Sequence, residues 1–358
     1  MPGKDERRLR IGVLGAGQIA QAAHFESCTK ARNADLAAIC DVAADLRARM
    51  AVTHGVAKTF GDYDEMLADP EIDAVIIATA DAFHVPASLR ALAAGKHVLC
   101  EKPVGITVEE AEELGDAVAH SDRVFQVGHM KRFDPGLQAG KAFIDNEMGA
   151  LVALKAWYCD STHRYLMTDA VQPLIATSAN ARKPVVDPKA DLRRYYMLAH
   201  GCHLIDTARF LAGDIVAVRA RLSERARMRC WFVDVDFADG TLGHLDLTVA
   251  VRMDWHEGFQ IYGEKGSILG KTYNPWYYKS SDVDVFRETD GTTYRVLGAD
   301  GHFYRRQVEG FADVILEGAP MQGASVADGI ASVRAMVAIA RSAESGERVA
   351  LADVTGGV

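Results

Sequence analysis

The chain has 358 residues, 49% apolar and 25% charged, with 40 Lys and Arg against 49 Asp and Glu for a net charge of −9. That length suggests two domains and that composition an ordinary globular protein, while the acidic balance excludes a broad electrostatic footprint for nucleic acid, and no run approaches the roughly 18 apolar residues of a membrane-spanning helix. The charged first ten residues lack the apolar segment of a secretory signal, so a cytoplasmic protein is expected, and six cysteines without C-x-x-C spacing read as reduced thiols.

In chain order, the runs RIGVLG (10–15), LAAIC (36–40), AVIIAT (74–79), HVLC (97–100) and RVFQVG (123–128) are short and unalternating, as strands buried on both faces must be. Helix-like stretches at 18–31, 43–54, 62–68, 86–94 and 107–120 separate them, with Asp62, Pro86 and Thr107 where helices begin. This alternation predicts a parallel, doubly wound α/β sheet over residues 1–130. From 131 to 358 the pattern changes to an α+β domain with an open, mostly antiparallel sheet. Its strand candidates are LVALKAWYC (151–159), IVAVRARLS (215–223), RCWFVDVDF (229–237), LGHLDLTVAV (242–251) and GFQIYGEKGSILG (258–270). Asp239-Gly240 is a hairpin turn signal, and helices near 197–212 and 325–344 are the candidate cover. The polar segment 160–196 has no periodicity, and a stretch that long reads as a lid, an interface arm or a misassignment.

IGVLGAGQIA places Gly15-x-Gly17-x-x-Ala20 directly after the first strand and at the start of a helix. Glycines there permit a tight turn and close approach of a pyrophosphate, which the backbone N–H groups of the helix start would bind; Gln18 and Ile19 share that loop. Asp41 closes the second strand about twenty positions later, where a carboxylate receives ribose hydroxyls and repels a 2′-phosphate, so NAD is favoured over NADP.

GKHVLCEKPV (95–104) then ends a buried strand in Glu101-Lys102-Pro103. With GxGxxA at 15–20, CD at 40–41, AGKHVLCEKP at 94–103, VGHMKRFDP at 127–135 and GCHLIDTARFLAGD at 201–214, the chain resembles the glucose-fructose oxidoreductase / inositol dehydrogenase (Gfo/Idh/MocA) family over almost its whole length. The resemblance implies an N-terminal Rossmann domain and the oxidation of a secondary hydroxyl of a sugar, glycoside or cyclitol by hydride transfer to NAD. It also implies a homodimer or homotetramer formed through the second sheet. Lys102 would contact substrate and nicotinamide ribose, in a peptide bond to Pro103 that is often cis, with Glu101 beside it. His203 would be the acid/base residue. In the family an aspartate often stands one turn before that histidine; here the position is Ala199.

Thr79 and His84 fall on the loop expected at the nicotinamide, and His200, Arg132, Trp157 and His163 are candidate sugar contacts, since aromatic faces and forked donors suit polyols. His200, Cys202, His203 and Asp206 have ligating side chains, but their spacing matches no metal motif, and no metal is expected. Oxidation at glycoside carbon 3 is the specific expectation. Two other activities fit the same residues: a glycoside hydrolase that retains NAD and oxidises transiently, and a sugar sensor without turnover.

Overall fold

A computed structural model describes residues 7–161, 170–298 and 300–358. The unalternating runs form six parallel strands: β1 Leu9–Leu14, β2 Ala34–Cys40, β3 Lys58–Phe60, β4 Ala74–Ile77, β5 His97–Cys100 and β6 Phe125–Val127, in the order β3-β2-β1-β4-β5-β6. β3 was absent from the apolar runs because its three residues are only partly buried at the sheet edge. Along the central strands, alternate residues feed opposite layers: Ile11, Val13, Ile76 and Leu99 pack to one side, and Val75, Ile77, Val98 and Cys100 to the other. Strand order reverses between β1 and β4, so their carboxyl ends diverge and leave a crevice there.

Local capping agrees with the sequence. Asp62 accepts hydrogen bonds from the backbone N–H groups of Asp64 (2.8 Å) and Glu65 (3.1 Å), and Thr107 and Glu110 close a reciprocal capping box. Two helices escape the expected pattern, Pro135–Asn146 and Phe303–Glu317. The second carries Val308, Phe311 and Ala312 onto the same layer as Leu9 and Ile11, closing one face of the parallel sheet. Its signal, apolar residues at 304, 308, 311, 312 and 315, lies among Arg, Glu and Asp and reads as amphipathic only at helical spacing. The expected division at 130/131 therefore cuts through a core to which the late chain contributes.

The second sheet has nine strands: β7 Leu151–Ser161, β8 Ile215–Arg225, β9 Met228–Phe237, β10 Leu242–Val251, β11 His256–Gly263, β12 Gly266–Thr272, β13 Asp282–Arg287, β14 Thr292–Arg295 and β15 Val349–Ala350. Among the described residues of this sheet only β7 and β10 pair in parallel. The run 258–270 is two strands around the turn Glu264-Lys265, and Asp239-Gly240 turns β9 into β10 with Gly240 at φ 90°. Helices Cys202–Ala212 and Val326–Ser345 cover one face. Leu154, Ala156, Tyr158, Val233, Leu245 and Leu247 point to them, while Phe232, Leu242, Tyr262, Leu269 and Phe286 stand exposed on the other.

A buried ion cluster pins the crossing between the two sheets. Arg132, in the turn after β6, donates to Asp206 (2.7 Å) on helix Cys202–Ala212 and to Asp328 (3.1 Å) in the first turn of Val326–Ser345; Arg209 also reaches Asp328 (3.4 Å). Burial opposes the Asp328 carboxylate, but Arg132 and the Ser325 capping groups outweigh it and lower its pKa from 3.8 to about 2. A carboxyl group depressed in the folded state stabilises above its unfolded pKa and loses that contribution as pH falls through the folded one. Asp328→Asn should therefore cost on the order of 2 kcal/mol near neutral pH, a deficit that shrinks between about pH 4 and about pH 2 in urea titrations. A deficit independent of pH over that window would refute the assignment.

Candidate active site

At the crevice between β1 and β4 the chain turns at Gly15, whose φ is 93° and where a Cβ would lie 2.8 Å from the Ala78 carbonyl oxygen, so glycine is required by backbone and neighbour alike. A Cβ on Gly17 would meet nothing within 4 Å. The loop opens on a cavity of about 600 Å³ lined by Gly15, Gly17, Gln18, Ile19, Asp41 and Thr79, among others. Asp41 closes β2 with its carboxylate accepting from the N–H of Ala16 (2.7 Å) and of Ala43 (2.8 Å), which ties the glycine turn to the cavity rim. The Thr79 hydroxyl is buried without a hydrogen-bond partner among the described residues. A cradle clear above Gly17, a carboxylate at the rim and an unmet hydroxyl fit the length and polarity of a dinucleotide.

A second cavity, of about 300 Å³, shares Gln18, Ile19 and Thr79 with the first and continues to Lys102, His200 and His203. Lys102 leaves the end of β5 through a cis bond to Pro103, and its ammonium donates to the Ala199 carbonyl at 3.3 Å. Burial pushes that ammonium down, yet Cys202, Glu101, Asp81 and Tyr195 outweigh burial and leave its pKa raised. Glu101 lies behind it, one carboxylate oxygen 2.8 Å from His24 Nε2 and the other accepting the Lys102 N–H at 3.2 Å. Despite burial, the His24 contact and the Lys102 charge hold Glu101 below the ordinary carboxylate range. Its place is behind the lysine, as a brace.

His203 follows a π-turn, Met197–Gly201, that leads into helix Cys202–Ala212. The extra residue in that turn shifts the facing of residues on either side of it, and both His200 and His203 line the cavity. Between them stands Tyr158, its ring parallel to His203 (centroids 6.1 Å, 1°), its hydroxyl 3.3 Å from His200 Nδ1, and Lys131 Nζ 4.7 Å from its centroid. Burial first, then the charges of Lys102 and Lys131, hold His203 well below the ordinary histidine range, so its imidazole is neutral. Asp160 Oδ2 lies 3.5 Å from His200 Nδ1. Trp276 and Tyr304, stacked at 5.6 Å, complete the wall.

Several expectations need correction. Trp157 points to the opposite face of the second sheet, stacked on His256 at 5.5 Å; on a strand, neighbours alternate, and Tyr158 is the residue at the cavity. Arg132 lies in the ion cluster described above, away from both cavities' polar groups. His84 is 1% exposed at the wall of the smaller cavity, with Nδ1 2.7 Å from the Pro103 carbonyl and Nε2 3.2 Å from the Thr79 carbonyl, so it sits between the two loops that carry Thr79 and Lys102. Asp206 serves Arg132. His163 lies outside the described residues. Among the described residues no His, Cys, Asp and Glu side chains gather as a metal site requires, and no helix is long and apolar enough to cross a membrane. Tyr158, Asp160, Tyr195, Trp276 and Tyr304 carried no motif; only strand alternation marks Tyr158, given the side on which the helices lie.

Comparison with known proteins agrees with this layout. Residues 9–129 match the profile of an oxidoreductase family with an NAD-binding Rossmann fold, and residues 137–269 match the C-terminal domain of the same Gfo/Idh/MocA group. The chain is 25% identical to a 1,5-anhydro-D-fructose reductase of Ensifer adhaerens over 94% of its own length and 97% of the relative's. It is 29% identical to an inositol 2-dehydrogenase of Acidothermus cellulolyticus over 75% of each chain. A levoglucosan dehydrogenase solved with NADH and L-sorbose superposes with a TM-score of 0.78 at 22% identity, covering 96% of this chain and 99% of that one, a likeness of fold.

The glycines separate folding from binding. Gly17→Val should leave the melting temperature nearly unchanged and weaken NADH at least about tenfold in fluorescence titration, whereas Gly15→Ala should also lower the melting temperature. Unaltered NADH affinity in Gly17→Val would remove the dinucleotide from this loop.

Proposed function

Because this chain belongs to the Gfo/Idh/MocA oxidoreductase family, we propose that it is an NAD-dependent dehydrogenase oxidising a secondary hydroxyl of a cyclic polyol, a sugar, glycoside or cyclitol, with carbon 3 of a glycoside the specific position. The observation that carries the reading is the meeting of Lys102 and His203 in the smaller cavity, which shares Gln18, Ile19 and Thr79 with the dinucleotide cavity. The substrates in the relatives' names are a cyclic sugar ketone and a cyclic polyol, both hydroxylated rings, and the Trp276–Tyr304 wall offers such a ring an apolar face.

Bound NAD supplies the hydride acceptor. The chain supplies position and proton handling. The Lys102 ammonium, fixed on the Ala199 carbonyl, stabilises negative charge developing on the substrate oxygen. A neutral imidazole nitrogen of His203 accepts the hydroxyl proton, which it is free to do because burial prevents its prior protonation. Ala199 brings no carboxylate; Asp160 places one 3.5 Å from His200 Nδ1. The exposed apolar residues on the outer face of the second sheet support a homo-oligomer assembled through it, and six cysteines with free thiols support a reducing, cytoplasmic setting.

The test is NADH formation by purified protein with NAD or NADP over a panel of inositols, free aldoses and alkyl or aryl glucosides. Activity with one class carries the reading; glycoside cleavage without NADH accumulation would replace it with an NAD-retaining hydrolase, and binding without any turnover with a sensor. Lys102→Ala should reduce kcat by roughly a thousandfold with NADH affinity nearly retained; wild-type kcat in that variant would refute the role of the lysine. Because His203 is held neutral, the acid limb of kcat/KM should fall well below the ordinary histidine value of 6.5. A limb centred at 6.5 would exclude His203 as the base.

A further inference from the structure

After β7, the described part of segment 170–196 crosses back to the parallel sheet. Gln21 and Ala176 form a reciprocal pair: the Gln21 Nε2 donates to the Ala176 carbonyl (2.9 Å) and its Oε1 accepts the Ala176 N–H (2.8 Å). The same amide nitrogen donates to the Ala16 carbonyl (2.7 Å) inside the glycine turn. Gln21 is 4% and Ala176 7% exposed, so these bonds are shielded from competing water. Two residues on, the Ser178 hydroxyl donates to Asp45 at 2.8 Å. The length of chain so tethered, held through Ser178 to the helix that follows Asp41, brings Ala181 and Arg182 to the wall of the larger cavity, whose other charged lining residues are Asp41, Asp62 and Arg90.

These charges are unequal in what they have left to offer. Asp41 is turned to the N–H groups of Ala16 and Ala43, and Asp62 to those of Asp64 and Glu65. Arg90 is paired with Asp64. Arg182 is exposed and has no carboxylate partner among the described residues; its guanidinium rests 4.6 Å from the centroid of Phe83. A planar cation placed over an aromatic ring and facing an open cavity is suited to a flat base or a phosphate.

We propose that residues 176–182 are a strap from the second domain that completes the dinucleotide site, and that Arg182 binds the adenosine half of the cofactor. The inference rests on the reading of the larger cavity as the NAD site and is independent of the sugar. The strap answers the constraint that an open α/β crevice leaves the cofactor exposed along one side; here a tether on Gln21 sets the glycine turn and the outer wall in register through one side chain.

NADH titrated by fluorescence, with ADP-ribose and nicotinamide mononucleotide as competitors, tests it. Arg182→Ala should weaken NADH and ADP-ribose about tenfold and leave nicotinamide mononucleotide unchanged, without lowering the melting temperature. Gln21→Leu, which keeps the size and removes the tether, should weaken the same two ligands, and the double variant should lose less than the two single losses combined. Arg182→Ala binding NADH and ADP-ribose within about twofold of wild type would overturn the proposal, as would an equal loss on nicotinamide mononucleotide. A wild-type chain that binds NADH by these criteria but oxidises no polyol would sink the dehydrogenase reading and leave the strap standing.

Discussion

An ammonium group at the end of a buried strand is the constraint around which this site is arranged. Removing such a charge from water costs several kcal/mol unless partners replace the lost solvent. Lys102 finds its partners on both sides of the molecule: Glu101 and Asp81 by charge from the parallel sheet, and the Ala199 carbonyl by a hydrogen bond from the π-turn of the second domain. Satisfying the lysine thus fixes the approach of the two domains, and with it the approach of the two cavities. His24 behind Glu101 and His84 between Pro103 and Thr79 extend the arrangement outward, each using imidazole as a rigid polar strut.

The same charge shapes its neighbour. Electrostatically, Lys102 and Lys131 make protonation of His203 unfavourable, and the Tyr158 ring holds the imidazole flat between the strand and the cavity. One group kept charged and the other kept neutral within one small cavity is the division that proton abstraction from an alcohol needs. Neither state follows from residue type alone; both come from what is packed around them.

The parallel sheet was legible because burial on both faces leaves an unbroken apolar run, and the glycine turn because Gly15 and Gly17 meet two different physical demands. Lys102 and His203 were legible through the segments that carry them. What escaped had no local signal. Tyr158 and Trp157 are adjacent, and choosing between them requires knowing which face of the second sheet the helices cover. Arg132 suits a polyol by chemistry, but Asp206 and Asp328, distant in sequence, claim it first. The π-turn breaks the 3.6-residue spacing on which the relation between positions 199, 200 and 203 was judged. Segment 160–196 lacked periodicity because the described part of it is held by discrete tethers such as Gln21–Ala176, not by a repeating apolar face.

Helix Phe303–Glu317 has a consequence for how the molecule comes into being. It seals the face of the parallel sheet on which Leu9, Ile11 and Leu99 lie, yet the ribosome delivers it only after eight of the nine strands of the second sheet, β7 to β14. The nucleotide-binding half of the nascent chain therefore waits, with one flank of its core wet, until synthesis is nearly over. Such a half is no freestanding module: transplanted at residue 130 into another protein, it would leave behind the helix that keeps it dry.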